Sequence, residues 1–90
     1  MEKRVGQVSH YYNRLGVAVL DLIEGLKVGD EVHIHGRSRD LTQRIESMEI
    51  DHHKVQEVGP GANVALKVVG RVKKGDTVYK VLEEAGAEYL

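Results

Sequence analysis

The 90-residue sequence predicts an all-β domain, a small six-stranded antiparallel barrel, on three observations. The first is composition: 14 Val, four Ile and four Tyr stand against 13 Leu and Ala together. Branched and aromatic side chains suit a pleated, half-buried surface. The second is spacing: apolar segments recur at short, regular intervals with turn residues between them and no convincing helix. The third is size. Phe and Trp are absent, so a core of Val, Ile, Leu and Met is small, and closing a sheet into a barrel removes its exposed edges.

The strands follow in order. Val5 to Tyr12 is the first, ended by an Asn13-Arg14 turn. Leu15 to Ile23 is the strongest, apolar on both faces. Val17 and Val19 are assigned to the core, which leaves Ala18, Leu20 and Leu22 facing outward toward a cover or a partner. Glu24-Gly25 and Val28-Gly29-Asp30 are turns. Glu31 to Gly36 alternates, with Val32 and Ile34 on one face and His33 and His35 on the other. After a charged loop from Arg37 to Asp40, Leu41 to Ile50 changes phase midway, which predicts a bulge near Glu46-Ser47. Asp51 to Lys54 is a polar loop, and Gly59-Pro60-Gly61 the plainest turn. Ala62 to Val69 and Thr77 to Leu82 complete the six, separated by the Lys73-Lys74-Gly75-Asp76 turn. Val28-Gly-Asp and Lys74-Gly-Asp echo each other, each just before an alternating strand. Residues 1–82 are thus one barrel domain, and 83–90 a tail or short helix.

Several functions are disfavoured at this level. A net charge of −1 excludes binding by a broad cationic field. No cysteine means no disulfide, thiolate metal site or Cys nucleophile, and suggests a cytoplasmic setting. The longest run of apolar residues and glycine, Leu15 to Leu20, is too short for a membrane span, and no signal peptide is expected. No Gly is followed by Lys, so the phosphate-loop pattern is absent and no nucleoside triphosphate is expected to bind. Ser9, Ser38 and Ser47 lack a nucleophile elbow. His33 and His35 share a strand face and could supply two metal ligands, but the sequence names no third. No metal or cofactor is therefore assigned. Arg37, Arg39 and Arg44 make a modest phosphate footprint, diluted by Asp40 and Glu46.

Three stretches carry a resemblance: Leu26-Lys-Val-Gly-Asp-Glu-Val-His-Ile-His-Gly36, Arg44-Ile-Glu-Ser-Met-Glu-Ile50 and Gly59-Pro-Gly-Ala-Asn-Val-Ala-Leu66. With Val72-Lys-Lys-Gly-Asp-Thr-Val-Tyr79 as a closing strand, the chain resembles the second-domain barrel of elongation factor Tu and related translation GTPases. It looks closest to short stand-alone elongation-factor-like proteins and to the C-terminal barrel of the collagenase-like peptidase family, some members of which serve in tRNA modification. His10-Tyr11-Tyr12 and Thr42 to Met48 look typical of those.

The resemblance implies a translation-type barrel without the GTPase domain. It aligns Glu49 with a Glu that contacts the terminal adenosine of tRNA. Asp51 stands where that family has Phe, and Tyr12-Asn13-Arg14 where it has Gly-Arg-Gly. The expected function is a non-enzymatic binding module contacting RNA, tRNA included, or a larger translation or RNA-modification protein. Candidate RNA-binding residues are Tyr11, Tyr12, Arg14, Glu49, His52, His53 and Lys54. The alternative is an accessory subunit that docks on a larger enzyme through Ala18, Leu20 and Leu22 without touching RNA.

Overall fold

A computed structural model describes residues 1–37 and 39–82. The chain runs β1 (Glu2–Tyr12), β2 (Val17–Leu22), β3 (Leu26–Lys27), β4 (Glu31–His35), β5 (Asp40–Arg44), β6 (Met48–Ile50), β7 (His53–Val55), β8 (Glu57–Val58), β9 (Asn63–Lys67) and β10 (Thr77–Val81). The described residues contain no helix. The expected tail or helix at 83–90 lies outside them.

Eight strands form one antiparallel ladder in the order β5-β4-β10-β1-β2-β9-β6-β7, and β3 pairs with β8. β5 and β6 sit toward opposite ends of this ladder yet are successive pieces of one segment, interrupted at residues 45–47. The sheet must therefore curl into a barrel shape, with Ile45 and Met48 both turned inward across the break. That break is the expected phase change. It also corrects the expectation of closure, because the ladder is not closed by backbone pairing. The Gln43 side chain spans part of the gap instead. Its Nε2 donates to the Lys67 carbonyl at 2.8 Å and its Oε1 accepts from the Val69 amide at 2.8 Å. Gln43→Ala should cost about 1–2 kcal/mol, since each such bond contributes roughly 0.5–1.5 net. Urea unfolding of the two proteins checks it.

The core is aliphatic. Val5, Val8, Val32, Ile34, Ile45, Met48, Val64, Leu66 and Val78 are buried, as are Ala18, Leu20 and Leu22. The last three reverse the expected face of β2: they point inward, and Val17 and Val19 are half-buried on the outside. They are core residues, not a docking face. Bulges in β1 between Arg4 and Gly6 and between Val8 and His10 bend this long strand as it pairs with β10 on one edge and β2 on the other.

The sequence echo is one turn used twice. Gly29 and Gly75 have φ of 99° and 95°, which glycine adopts without steric cost. The following Asp30 and Asp76 carboxylates accept from the Lys27 and Lys73 amides at 3.0 and 2.9 Å. Asp51 and His52, with φ of 50° and 67°, turn β6 into β7.

Candidate functional site

Three surface features stand out on this scaffold. The first is the outward face of β1, β2, β9, β6 and β7. Register places His10, Val19, Ala65, Glu49 and Lys54 in one row across these strands, and Tyr12, Val17 and Lys67 in the next. His10 and Tyr12 pack ring to ring, with centroids 4.3 Å apart. Around the β1–β2 turn this face carries its most exposed apolar side chains. Leu15 is 65% exposed and Val69 76%. The segments that carry them meet where the Val68 amide donates to the Gly16 carbonyl at 2.9 Å, just beyond the end of the β2–β9 ladder. The outward side of β2 is apolar at 17 and 19 and charged only at Asp21, which accepts from Asn63 Nδ2 at 2.7 Å.

The second is a cationic cleft between the loop after β4 and the turn before β10. His35, Arg37, Arg39, Lys73, Lys74 and Thr77 line a cavity of about 520 Å³, with the Asp76 carboxylate as the one acidic group among the described residues that line it. Arg71, Lys73 and Arg39 continue the positive surface to Tyr11, which packs against the core. Such a local cluster attracts anions although the whole chain is nearly neutral.

The third is a histidine cluster on β4. His33 Nδ1 lies 3.0 and 3.1 Å from the two Glu2 carboxylate oxygens. His33 Nε2 and His35 Nδ1 both meet Asp40 Oδ1, the latter at 2.8 Å. Asp40 stands directly opposite His35 in the β4–β5 ladder, and the Tyr79 ring flanks His33 with centroids 5.9 Å apart. Hydrogen bonds to Glu2 first and Asp40 second raise the pKa of His33, although desolvation opposes them. The same contacts, from His35 first and then His33, lower that of Asp40. The donor atoms of His33, His35 and Asp40 lie within 4.8 Å of one another. They are the group among the described residues whose geometry could hold a metal ion.

The raised His33 pKa has a definite sign. The folded state binds the proton more tightly than the unfolded chain. This stabilisation is thus complete below the ordinary value of about 6.5 and disappears as pH rises through the higher folded value. The stability difference between wild type and Glu2→Gln should therefore be larger at pH 6 than at pH 9 in urea titrations. A difference that grows with pH contradicts the assignment. Asp40 acts oppositely, contributing above its ordinary range and losing its contribution as pH falls through the lowered value.

The sequence candidates are distributed unevenly. Tyr12, Glu49 and Lys54 share the outward face, and Arg14 lies in the turn beside it. Tyr11 points the other way, into the core and the cationic end. His52 sits in the β6–β7 turn, and His53 opens β7 opposite Ile50. Sequence reasoning missed Asp40 as the partner of both histidines, and missed Lys73 and Lys74 as neighbours of Arg37 and Arg39.

No protein-family model matches the chain. An uncharacterized protease of Methanocaldococcus jannaschii is 32% identical over 80 residues, which are 88% of this chain but 20% of that protein. The chain thus spans about a fifth of the length of that relative. Two crystal structures of the C-terminal domain of a Geobacillus thermoleovorans protein named a U32 peptidase share the fold. One has a TM-score of 0.81 at 23% identity, covering 87% of this chain and 91% of that domain. The other, a selenomethionine variant, has a TM-score of 0.80 at 24% identity, covering 84% and 96%. These neighbours support the likeness to collagenase-like peptidases and overturn the elongation-factor reading. The two structures are named as a U32 peptidase C-terminal domain and the sequence relative as a protease, none of them as a translation or elongation factor. Among the described residues no helix is long and apolar enough to cross a membrane.

Proposed function

We propose that the chain is an accessory domain that docks onto the catalytic part of a larger peptidase-type protein and performs no chemistry itself. The observation that supports this most is the mismatch in coverage. Nearly the whole chain aligns, but to only 20% of a relative named as a protease. The structural neighbours are likewise domains taken from the C-terminal end of a larger protein. The interior is filled with aliphatic side chains, which leaves stability to the core and recognition to the surface.

The docking face is the outward side of the β1–β2 hairpin and its neighbour β9, with Tyr12, Leu15, Val17, Val19 and Val69 as its apolar contacts. This corrects the residues but keeps the idea of an apolar barrel face. Covering exposed apolar side chains contributes about 25 cal/mol per Å² removed from water.

A direct test uses the M. jannaschii protease with its matching segment deleted. This chain, added in trans, should co-elute with the remainder on gel filtration. Leu15→Asp combined with Val69→Asp should abolish co-elution while leaving the melting temperature nearly unchanged, because both side chains are exposed. The reading fails if the remainder binds its own segment but not this chain, or if the double variant binds as well as wild type.

A further inference from the structure

We infer that His33, His35 and Asp40 form a binding site for one divalent transition-metal ion of the Zn²⁺ type, with Glu2 orienting His33 from behind. A neutral imidazole has one N–H and one lone pair, whereas ionised carboxylates only accept. His33 meets a carboxylate at both ring nitrogens, Glu2 at Nδ1 and Asp40 at Nε2. If Nδ1–H donates to Glu2, the Nε2 lone pair faces Asp40, and the contact as it stands is held by a second proton. A metal ion would take that proton's place once the two side chains part slightly to admit it. His35 Nδ1 converges on the same Asp40 oxygen at 2.8 Å, adding a second nitrogen to the same point.

This donor set suits the ion. Zn²⁺ takes imidazole nitrogen and carboxylate oxygen at about 2.0–2.2 Å, and sites with three protein ligands leave a fourth position for water or another group. Tetrahedral ligands at that bond length stand about 3.3 Å apart. The three atoms lie within 4.8 Å of one another, and both nitrogens stand closer than that spacing to Asp40 Oδ1, so small side-chain rotations that move Asp40 outward would open room for the ion. The backbone supplies the preorganisation. His33 and His35 are two residues apart on β4 and so share a face, and Asp40 is fixed opposite His35 by the ladder. Glu2 reaches His33 from β1, two strands away across β10. A carboxylate behind a metal-binding histidine fixes its tautomer and raises its basicity. His35 and Asp40 are exposed, so an ion can enter without unfolding.

The test is titration of chelator-treated protein with Zn²⁺ by calorimetry and with Co²⁺ by visible absorption at pH 7.5. One equivalent should bind saturably, and Co²⁺ should give the intense visible bands of a low-coordinate site. His35→Ala and Asp40→Ala should each weaken binding at least tenfold. Glu2→Gln should weaken it about 10–100-fold while preserving the stoichiometry, as expected for an outer partner. His52→Ala with His53→Ala should leave affinity unchanged. No saturable binding in wild type overturns the inference. So does affinity that survives both His35→Ala and Asp40→Ala, or affinity that is lost only with His52 and His53. Amide NMR spectra of each variant show whether the fold is retained. If a ligand variant unfolds, Glu2→Gln and the Co²⁺ spectrum of wild type decide the question.

Discussion

Leu20→Ala should lower the unfolding free energy by about 2–5 kcal/mol, whereas Val19→Ala, one residue away, should cost less than about 1.5. Leu20 is fully buried and paired through the ladder with buried Val64, while Val19 stands half-buried on the outside, opposite His10 and Ala65. A domain of this size is stable by only about 5–13 kcal/mol, so the first variant loses a large share of its stability. Leu20 also sits on the central strand between β1 and β9, where β2 cannot move without disturbing both ladders. Urea unfolding of the two variants reads the difference directly. Equal losses would mean that β2 packs on both faces, and a larger loss at Val19 would restore the reversed assignment.

Gly6→Ala should be the most damaging of the glycine substitutions, costing about 3 kcal/mol by overpacking. A Cβ at position 6 would lie 2.2 Å from the Asp21 carbonyl oxygen and 3.0 Å from Leu22 Cα, both backbone atoms that no side-chain rotation can move. Gly6 pairs with Val78 and Leu22 at the point where β1 changes partner phase, so the missing side chain is what lets β2 approach there. Gly59→Ala is the control: its added Cβ meets nothing within 4 Å, and its φ is not in the left-handed region. It should stay within about 0.5 kcal/mol of wild type. A melting temperature for Gly6→Ala equal to that of Gly59→Ala would contradict the close approach.

How far the sequence could be read depends on what each signal encodes. Alternation in Glu31 to Gly36 identified Val32 and Ile34 as core, because only one face there is apolar. The same logic cannot choose a face for Leu15 to Ile23, where both are apolar. The deciding residue was nonetheless present: Asp21 shares its face with Val17 and Val19, and a carboxylate is costly to bury without a partner. The phase slip between Ile45 and Met48 was legible because period two is strict. Its consequence, a strand divided between two ends of one ladder, depends on long-range pairing that periodicity does not carry. The bulges in β1 hid the inward turn of Tyr11 for a similar reason.

The candidate sites show the same division. His33 and His35 were visible as a pair because they are local, and Asp40 escaped because a charged residue next to a loop looks like part of the loop. Its pairing with His35 makes it the first residue of β5. The cationic cleft joins a loop near residue 37 to a turn near residue 74, a proximity created only when β10 inserts between β4 and β1. The apolar contacts Leu15 and Val69 likewise come from distant segments that meet at the end of the β2–β9 ladder, where the Val68 amide donates to the Gly16 carbonyl.

Docking is tested most directly by the amide NMR spectrum of this chain, isotope-labelled and titrated with the unlabelled M. jannaschii protease lacking its matching segment. Shifts and line broadening should concentrate at residues 12–19 and 65–69, on the outward face of the β1–β2 hairpin and β9. The His33–Asp40 cluster and the cleft around Arg39 and Lys73 should stay unperturbed. Perturbations confined to the cationic cleft, or none at all while the protease's own segment still binds, would contradict docking through this apolar face.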